Sequence, residues 1–259
     1  MESRLTVSAL QTHLFWQDKE KNFTHLAEQL VELPSTDLVV LPEMFATGFT
    51  MEAETFAEPM DGPTVVWMQD WAKKQNAALC GSTIIRDQGK IYNRFLFVAP
   101  SGEVQYYDKR HTFTLAGEHK AYTSGQNDGI ITYKDWKICL RVCYDLRFPV
   151  WGRNTMGYDL LIYTANWPHK RIHAWDTLLK ARAIENMSYC IGVNRIGTDG
   201  SDLQYPGNTA IYDFLGEQLG GTTKNEPGQI TIQLEKSKQQ LVRSKLNFLN
   251  DRDHFLIQS

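Results

Sequence analysis

The chain has 259 residues, of which 42% are hydrophobic and 22% charged, and this composition is typical of a globular protein. Its 27 basic and 30 acidic residues give a net charge of −3, and the basic residues are scattered, which argues against a nucleic-acid-binding surface. No apolar run approaches the roughly 20 residues of a membrane span, and the N-terminus lacks the apolar core of a signal peptide. We therefore expect a cytoplasmic protein that binds neither nucleic acid nor a membrane.

The N-terminal third of the chain predicts strands and helices in alternation. The alternating apolar pattern of Leu5–Gln11 is typical of a half-buried strand. Asp18 can cap a helix that runs to about Leu33, and Pro63 can open a second helix. Between them, the continuous apolar run in Asp37–Glu43 indicates a strand buried on both faces. The side chains expected to face inward from the two helices are Phe23, Leu26, Ala27, Leu30, Val31, Val66, Trp67 and Trp71.

The rest of the chain predicts more strands than helices. In Lys137–Cys143, a core strand, Ile138, Leu140 and Val142 share one face, and His173–Tyr189 is predicted to be a helix. This alternation, without linkers or repeats, indicates an α/β protein of layered sheets, with one domain over residues 1–259. The further predicted strands are Ala78–Arg86, Arg94–Ala99, Val104–Tyr107, Ile130–Tyr133, Leu160–Ala165, Cys190–Ile196, Asn208–Leu219 and Gln229–Leu234, and a polar helix begins at about Lys236.

The four cysteines, Cys80, Cys139, Cys143 and Cys190, form no C-x-x-C pair. On one strand, Cys139 and Cys143 would lie about 13 Å apart, whereas a disulfide needs Cα atoms within roughly 7 Å. Zinc-type spacing is absent as well. We therefore expect no metal and no cofactor, and the cysteines are either buried apolar residues or a reactive thiol.

Three segments end on a reactive side chain where an apolar strand is predicted to stop, and these side chains are Glu43, Lys109 and Cys143. In open α/β sheets, ligands bind outside the carboxyl ends of the strands, so these side chains could share one pocket. Together they offer a nucleophile, a general base and a cation for developing negative charge. Each also fits a structural role, because Cys143 can be a small buried hydrophobe and Lys109 a solvated charge in a turn.

These three motifs together resemble the Glu-Lys-Cys triad of the nitrilase superfamily of carbon–nitrogen hydrolases. They read Leu-Pro-Glu43, Tyr-Asp-Lys109-Arg-His and Val-Cys143-Tyr-Asp-Leu-Arg-Phe-Pro. The resemblance spans nearly the whole chain and is closest to the bacterial ω-amidase (2-oxoglutaramate amidase) branch, which shares the continuation Arg-Phe-Pro-Val-Trp. It implies a four-layer α-β-β-α sandwich that assembles as a homodimer. The supporting segments are Tyr163–Pro168, Ala181–Asn186 and Gly207–Tyr212.

The resemblance also implies a reaction, in which a small-molecule amide is hydrolysed to an acid and ammonia through a cysteine thioester. Cys143 would be the nucleophile and Glu43 the base. Lys109 and the backbone N–H of Tyr144 would hold the oxyanion. Many family members carry a second glutamate shortly after the lysine, and Glu118 matches it best.

The residues that would bind the substrate are open to more than one interpretation. Arg147 could clamp a carboxylate, or it could form a structural ion pair with a nearby acid. Phe113, His119 and Trp167 could line a small pocket, although aromatic side chains are more often part of the core. Arg182 and Glu185 are expected to form a structural pair across the turns of a helix.

Other functions remain open at this stage. A Cys-His hydrolase or acyltransferase could use His111 or His119 as its base. A non-catalytic binding module is a further alternative, as are nitrile and carbamoyl hydrolysis within the same superfamily, because fold does not decide among them. For assembly, the apolar residues in the tail around Leu246–Phe255 suggest that this segment lies across a second protomer.

Overall fold

Two six-stranded sheets form the centre of the computed structural model, which describes residues 3–257. The strands of these residues are β1 (Arg4–Gln11), β2 (Leu38–Val40), β3 (Ala78–Asp87), β4 (Lys90–Val98), β5 (Val104–Asp108), β6 (Ile130–Tyr133), β7 (Trp136–Val142), β8 (Leu160–Ala165), β9 (Tyr189–Asn194), β10 (Ile196–Thr198), β11 (Gln204–Pro206), β12 (Ala210–Tyr212), β13 (Gln218–Gly221) and β14 (Gly228–Glu235). One sheet has the order β14-β1-β2-β3-β4-β5 and the other the order β13-β12-β9-β8-β7-β6, while β10 and β11 form a separate pair.

The helices begin and end at the signals that the sequence carries. Asp18 caps the first helix by accepting a hydrogen bond from the backbone N–H of Lys21 at 3.0 Å. Pro63 is the first residue of the third helix, and Asn76 ends it in the left-handed conformation. Within residues 3–257, no helix is long and apolar enough to cross a membrane. The α-helices are α1 (Lys19–Val31), α2 (Ala53–Phe56), α3 (Pro63–Gln75), α4 (Glu118–Ala121), α5 (Pro149–Gly152), α6 (Ile172–Asn186) and α7 (Lys236–Leu246), and short 3₁₀ turns cover Thr114–Ala116, Cys143–Arg147, His169–Arg171 and Phe248–Asp251.

The two sheets pack face to face, and helices cover their outer faces. In β2, Leu38 and Val40 enter the core between the sheets, while Val39 packs against α1 and α3 on the other side. In β7, Ile138, Leu140 and Val142 all lie in the inter-sheet core, as predicted. Cys139, on the opposite face of that strand, packs under α6. The predicted four-layer α-β-β-α sandwich is confirmed. The layers form because strand alternation sends successive side chains to opposite faces of each sheet.

Two of the side chains predicted to face inward are exposed instead, and both predictions were wrong. Val31 is 58% exposed and Val66 is 46% exposed. The buried stripe of α1 runs through Leu26 and Leu30, so the residue that follows Leu30 points about 100° away from it. The stripe of α3 runs through residues 65, 68 and 72, and Val66 lies beside it. A helix that covers one face of a sheet therefore buries only some of its apolar residues, those on the stripe that faces the sheet.

Two segments also differ from their predicted extent. The segment Asn208–Leu219 is not one strand but a hairpin of β12 and β13, because Asp213 turns the chain by accepting hydrogen bonds from the backbone N–H groups of Leu215 and Glu217 at 2.8 and 2.9 Å. Helix α6 ends at Asn186, and Met187 caps it in the left-handed conformation, so that β9 can begin at once.

The strand directions bring the C-terminal ends of several strands to one side of the molecule. β2 is parallel to its neighbours β1 and β3, and β5 has the same direction as β3 because both are antiparallel to β4. In the other sheet, β7, β8 and β9 are parallel. The segments that follow β2, β5, β7 and β8 carry Glu43, Lys109, Cys143 and Asn166.

Candidate active site

Glu43 lies just beyond β2, and its side chain is completely buried. Its Oε1 accepts hydrogen bonds from Nδ2 of Asn93 at 2.8 Å and from Nζ of Lys109 at 3.0 Å. Its Oε2 accepts one from the backbone N–H of Asn166 at 2.8 Å. Donors from three different segments therefore fix the orientation of this carboxylate.

Lys109 follows β5 directly, and only 1% of it is exposed. Its Nζ lies 2.9 Å from both carboxylate oxygens of Glu118 and 3.0 Å from Oε1 of Glu43. Burial alone would lower the pKa of Lys109, but the two carboxylates outweigh it and raise that pKa. Lys109 is therefore a permanent cation at neutral pH and is unsuited to act as a base.

Glu118 is the first residue of α4 and is also fully buried. Besides Lys109, it accepts a hydrogen bond from the backbone N–H of Phe113. Burial raises the pKa of Glu118, Lys109 lowers it and the nearby Glu43 raises it, with a net upward shift. Glu118 does not line the cavity described below, so it can influence a bound ligand only through its ion pair with Lys109.

Cys143 stands at a sharp turn where β7 ends. Its φ of 42° lies in the left-handed region, which costs a non-glycine residue roughly 1–3 kcal/mol. The buried carboxylate of Asp145 holds this turn, because its Oδ2 accepts from the backbone N–H of Val142 at 3.0 Å and from the hydroxyl of Tyr107 at 2.8 Å. The turn is thus fastened both to its own strand and to β5, the strand that precedes Lys109.

The Cys143 thiol is held in its neutral form. Burial raises the pKa of Cys143 well above its ordinary value, the charge of Glu43 and a hydrogen bond to Glu43 raise it further, and Lys109 opposes them. Cys143 is nevertheless the half-buried member of the set, whereas Cys80, Cys139 and Cys190 are fully buried, and all four are free. An accessible thiol with a raised pKa needs a base at the moment of attack, and Glu43 is placed to be that base.

The two histidines near the site do not contact the thiol. His111 donates its backbone N–H to Oδ1 of Asp145 at 3.1 Å, and its Nδ1 lies 2.7 Å from the same oxygen. His119 is exposed, because the orientation of α4 that buries Glu118 turns the next residue outward. Within residues 3–257, neither histidine is hydrogen-bonded to Cys143, so the geometry gives no support to a Cys-His site.

A small, mostly apolar cavity opens above these groups, with an empty volume of about 490 Å³ that includes space open to solvent. The guanidinium of Arg147 lies over the ring of Trp167, with 5.1 Å from Cζ to the ring centroid. Arg171 lies over the ring of Phe113 at the same distance. His119, expected at the pocket, does not line it. The residues that do are Glu43, Phe49, Lys109, Phe113, Ala116, Cys143, Tyr144, Arg147, Asn166, Trp167, Pro168, Arg171, Leu203 and Tyr205.

The charged residues around the cavity separate into paired and unpaired groups. Arg182 pairs with Glu185 at 2.9 Å, as predicted, and also donates to the backbone carbonyl of Leu146 at 2.6 Å. Arg147 has no carboxylate within ion-pair distance among residues 3–257, so the structural ion pair considered as its alternative role is not formed there. Its guanidinium keeps its N–H groups available to a ligand.

Comparison with known proteins identifies the family of this chain. A family model described as carbon-nitrogen hydrolase matches residues 6–244. The chain belongs to the carbon–nitrogen hydrolase family. It therefore acts on carbon–nitrogen bonds other than peptide bonds.

Several relatives match this carbon–nitrogen hydrolase over nearly their whole length. It is 40% identical over 255 residues to the omega-amidase YafV of Yersinia enterocolitica, covering 98% of this chain and 99% of that protein. It is 30% identical over 253 residues to the 2-oxoglutaramate amidase of Bacillus subtilis, covering 95% and 96%. A crystal structure of a CN-hydrolase superfamily protein from Xanthomonas campestris, with an arsenic adduct in its active site, matches with a TM-score of 0.95 at 39% identity, covering 98% and 99%. The nitrilase-type fold is thereby confirmed.

The sequence did not single out four polar residues of this carbon–nitrogen hydrolase site. Asn166 follows β8 as Cys143 follows β7, so the rule of strand ends could have found it. Asn93 lies inside β4, and nothing in its neighbourhood sets it apart from an ordinary strand residue. Asp145 and Arg171 take part through contacts that only the folded chain creates.

Proposed function

We propose that this carbon–nitrogen hydrolase is an ω-amidase, which hydrolyses the terminal amide of a small carboxylate-bearing substrate such as 2-oxoglutaramate. The observation that carries the proposal is the meeting of Glu43, Lys109 and Cys143 in a cavity that also presents Arg147, which has no acid partner among the described residues 3–257. The activities for which two relatives are named, omega-amidase and 2-oxoglutaramate amidase, support the same substrate class.

The first half of the reaction forms a thioester. Glu43 takes the proton of the Cys143 thiol, and the sulfur attacks the amide carbonyl carbon. The developing oxyanion is held by Nζ of Lys109 and by the backbone N–H of Tyr144, which stands at the start of a 3₁₀ turn where N–H groups have no partner inside the turn. Such donors are worth about 2.7–4 kcal/mol each in other hydrolases. Glu43 then gives its proton to the amide nitrogen, the C–N bond breaks and ammonia leaves.

The second half of the reaction hydrolyses the thioester. Glu43, again a carboxylate, takes a proton from water while the water oxygen attacks the thioester carbonyl. The same two donors hold the second oxyanion, the C–S bond breaks, and the sulfur of Cys143 recovers the proton from Glu43. The net change is amide plus water to carboxylic acid plus ammonia. Glu118 supports both steps by holding Lys109 in place.

The substrate is oriented by the opposite part of the cavity. Arg147 binds the substrate carboxylate, because a guanidinium offers a fork of N–H donors that matches two carboxylate oxygens. Phe113 and Trp167 form apolar walls that limit the length of the chain between carboxylate and amide. A pocket of this kind discriminates one methylene by only about 1–3 kcal/mol, so neighbouring chain lengths are accepted.

A substrate panel tests the proposed activity. We expect 2-oxoglutaramate and 2-oxosuccinamate to give much higher kcat/KM for ammonia release than aliphatic amides without a carboxylate. Arg147→Ala should lower kcat/KM for the acidic amides by about 10- to 100-fold, because a hydrogen bond to a charged group is lost. It should also narrow their advantage over neutral amides.

The matched control is Lys120→Ala, which removes an exposed positive charge of α4 outside the cavity lining. This variant should keep the preference for acidic amides. Faster turnover of simple aliphatic amides or nitriles by the wild type would contradict the ω-amidase proposal, whereas the hydrolase that uses Cys143 would stand. An unchanged preference in Arg147→Ala would transfer carboxylate binding to another residue.

We also propose a single-domain, cytoplasmic enzyme that works as a homodimer. Four free thiols fit a reducing compartment. The C-terminal segment places apolar side chains in solvent, with Phe248 59% and Leu256 94% exposed. A group of exposed apolar residues in one segment is typical of an interaction surface, and we propose that a second protomer covers it.

Light scattering tests the assembly. At micromolar concentration the expected mass is twice the 29.7 kDa of one chain. Phe248→Asp should shift the mass towards that of one chain, because a buried charge at the interface is costly. The matched control is Val31→Asp, which places the same charge at an exposed position of α1. A wild-type mass of one chain would contradict the dimer.

A further inference from the structure

A second arginine lines the active-site cavity, and the reaction proposed above gives it no role. Arg171 ends the 3₁₀ turn His169–Arg171, which follows β8. Its guanidinium lies 5.1 Å from the ring centroid of Phe113, while that of Arg147 lies at the same distance from Trp167. The cavity therefore has two guanidinium groups in its lining.

The turn that carries Arg171 is firmly held. Its backbone carbonyl accepts a hydrogen bond from Nε1 of Trp167 at 2.8 Å, and its backbone N–H donates to the carbonyl of Pro168 at 3.0 Å. Trp167 itself is tied to Asn194, because its N–H donates to Oδ1 of Asn194 at 2.7 Å and its carbonyl accepts from Nδ2 at 3.0 Å. The point from which the Arg171 side chain extends is therefore fixed relative to the sheet.

The charge of Arg171 is not neutralised within the described part of the chain. Neither Arg171 nor Arg147 has a carboxylate within ion-pair distance in residues 3–257. Lys109, in contrast, is surrounded by the carboxylates of Glu43 and Glu118. The excess positive charge of the cavity thus lies on the two arginines rather than on Lys109.

The contacts of both arginines leave their hydrogen-bonding capacity free. Each guanidinium lies over an aromatic ring, and within the described residues neither group donates a side-chain hydrogen bond. A carboxylate has two oxygens with about four acceptor positions, enough for donors from two guanidinium groups.

We infer that Arg171 is a specificity-determining residue that binds the substrate carboxylate together with Arg147. This inference rests on the proposed ω-amidase function for its substrate. It goes further by placing the anion between two guanidinium groups, one from the turn after β7 and one from the turn after β8. The preference for acidic amides then depends on both turns.

The selectivity ratio of Arg171→Gln tests the inference. The measurement is kcat/KM for 2-oxoglutaramate divided by kcat/KM for its methyl ester, which keeps the amide and removes the charge. We expect this ratio to fall by about 10- to 100-fold, as for the loss of a charged hydrogen bond. Arg171→Lys should recover part of the ratio, because the charge returns without the planar fork.

Two comparisons separate binding from other effects. Lys170→Gln removes the same charge from the neighbouring exposed residue and should leave the ratio unchanged. Arg147→Gln combined with Arg171→Gln should lose less than the product of the two single losses, because the two groups share one carboxylate. If Arg171→Gln lowers kcat/KM for acid and ester equally, Arg171 has only a structural role and the inference is overturned.

A measurement without turnover keeps the inference testable if the ω-amidase proposal fails. Glutarate serves as the probe, and the readout is the factor by which it slows alkylation of Cys143 by iodoacetamide. We expect protection in the wild type and about tenfold weaker glutarate affinity in Arg171→Gln. If acidic amides are not preferred but this loss is observed, the anion site stands and the proposed substrate is wrong. Equal protection in both proteins overturns the anion site.

Discussion

Replacing Cys143 with alanine is expected to lower kcat for amide hydrolysis by at least about 10⁴-fold, the scale seen when a covalent nucleophile is removed. Without the sulfur no thioester can form, and only a residual rate remains. Cys143→Ser should be nearly as inactive, because the site holds a neutral nucleophile and a hydroxyl is harder to deprotonate than a thiol. Ammonia release measures the loss.

The fold of these variants is the necessary control. Cys143 stands in a strained turn that Asp145 holds from both sides, and alanine keeps those contacts. The melting temperature and circular dichroism of Cys143→Ala should therefore stay close to those of the wild type. Substantial hydrolysis by a well-folded Cys143→Ala protein would remove Cys143 from the role of nucleophile.

Alkylation gives an independent view of the same thiol. Iodoacetamide should modify Cys143 before the other cysteines, since it alone among the four is not fully buried. Burial raises the pKa of Cys80, Cys139 and Cys190 and also shields these thiols from the reagent. Peptide mass spectrometry at low reagent excess identifies the modified residue. Earlier labelling of any of these three would contradict the assignment.

The layered core could be predicted because strand periodicity is local information. In β7, Ile138, Leu140 and Val142 had to share a face whatever the rest of the chain did, and that face is the one between the sheets. Helix faces were less certain, because the sheet beneath decides how wide the buried stripe is. Val31 and Val66 lie beside the stripe rather than on it.

The positions of the reactive side chains could also be read from the chain, because each follows a strand closely. Glu43, Lys109 and Cys143 meet because β2, β5 and β7 end on one side of the molecule. The hydrogen-bond partners that hold these side chains could not be predicted from the sequence. Asn93 donates to Glu43 from inside β4, and no local pattern distinguishes it from a structural asparagine.

The substrate side of the cavity was the least predictable part. His119 was expected there because it is adjacent to Glu118, but successive residues of a helix point about 100° apart. Burying Glu118 therefore sends His119 into solvent. Arg171 was not predicted because it is far in sequence from Phe113, the residue whose ring it lies over. It reaches the cavity from a turn after β8. Pocket walls depend on tertiary distances that sequence spacing does not contain.

Replacing Glu43 with glutamine is expected to lower kcat by at least about 10³-fold, because both halves of the reaction use this carboxylate as a base and acid. The raised pKa of Cys143 makes the thiolate scarce at neutral pH, so the thiol depends on proton transfer. The glutamine amide cannot accept that proton. In Glu43→Gln we expect no rapid initial release of one ammonia per enzyme, which would mark thioester formation, and no steady turnover.

The matched variant for this experiment is Glu43→Asp, which keeps a carboxylate and withdraws it by one methylene. It should retain more activity than Glu43→Gln, while both lose part of the contacts with Asn93 and Asn166. A similar melting temperature for the two variants would assign the difference in rate to the proton acceptor. Equal inactivity of the two would leave position rather than basicity as the essential property.

Combined variants test whether Glu43, Lys109 and Cys143 act as one unit. Once Cys143→Ala has removed the nucleophile, Glu43 has no thiol to deprotonate and Lys109 no thioester oxyanion to hold. Adding Glu43→Gln or Lys109→Ala should therefore lower the residual rate scarcely further, although each change alone is severe. The measurement is the residual kcat of single and double variants with matched melting temperatures. Losses that multiply across the three residues would mean that they contribute independently, and a shared site built on the 3.0 Å contact between Lys109 and Glu43 would be contradicted.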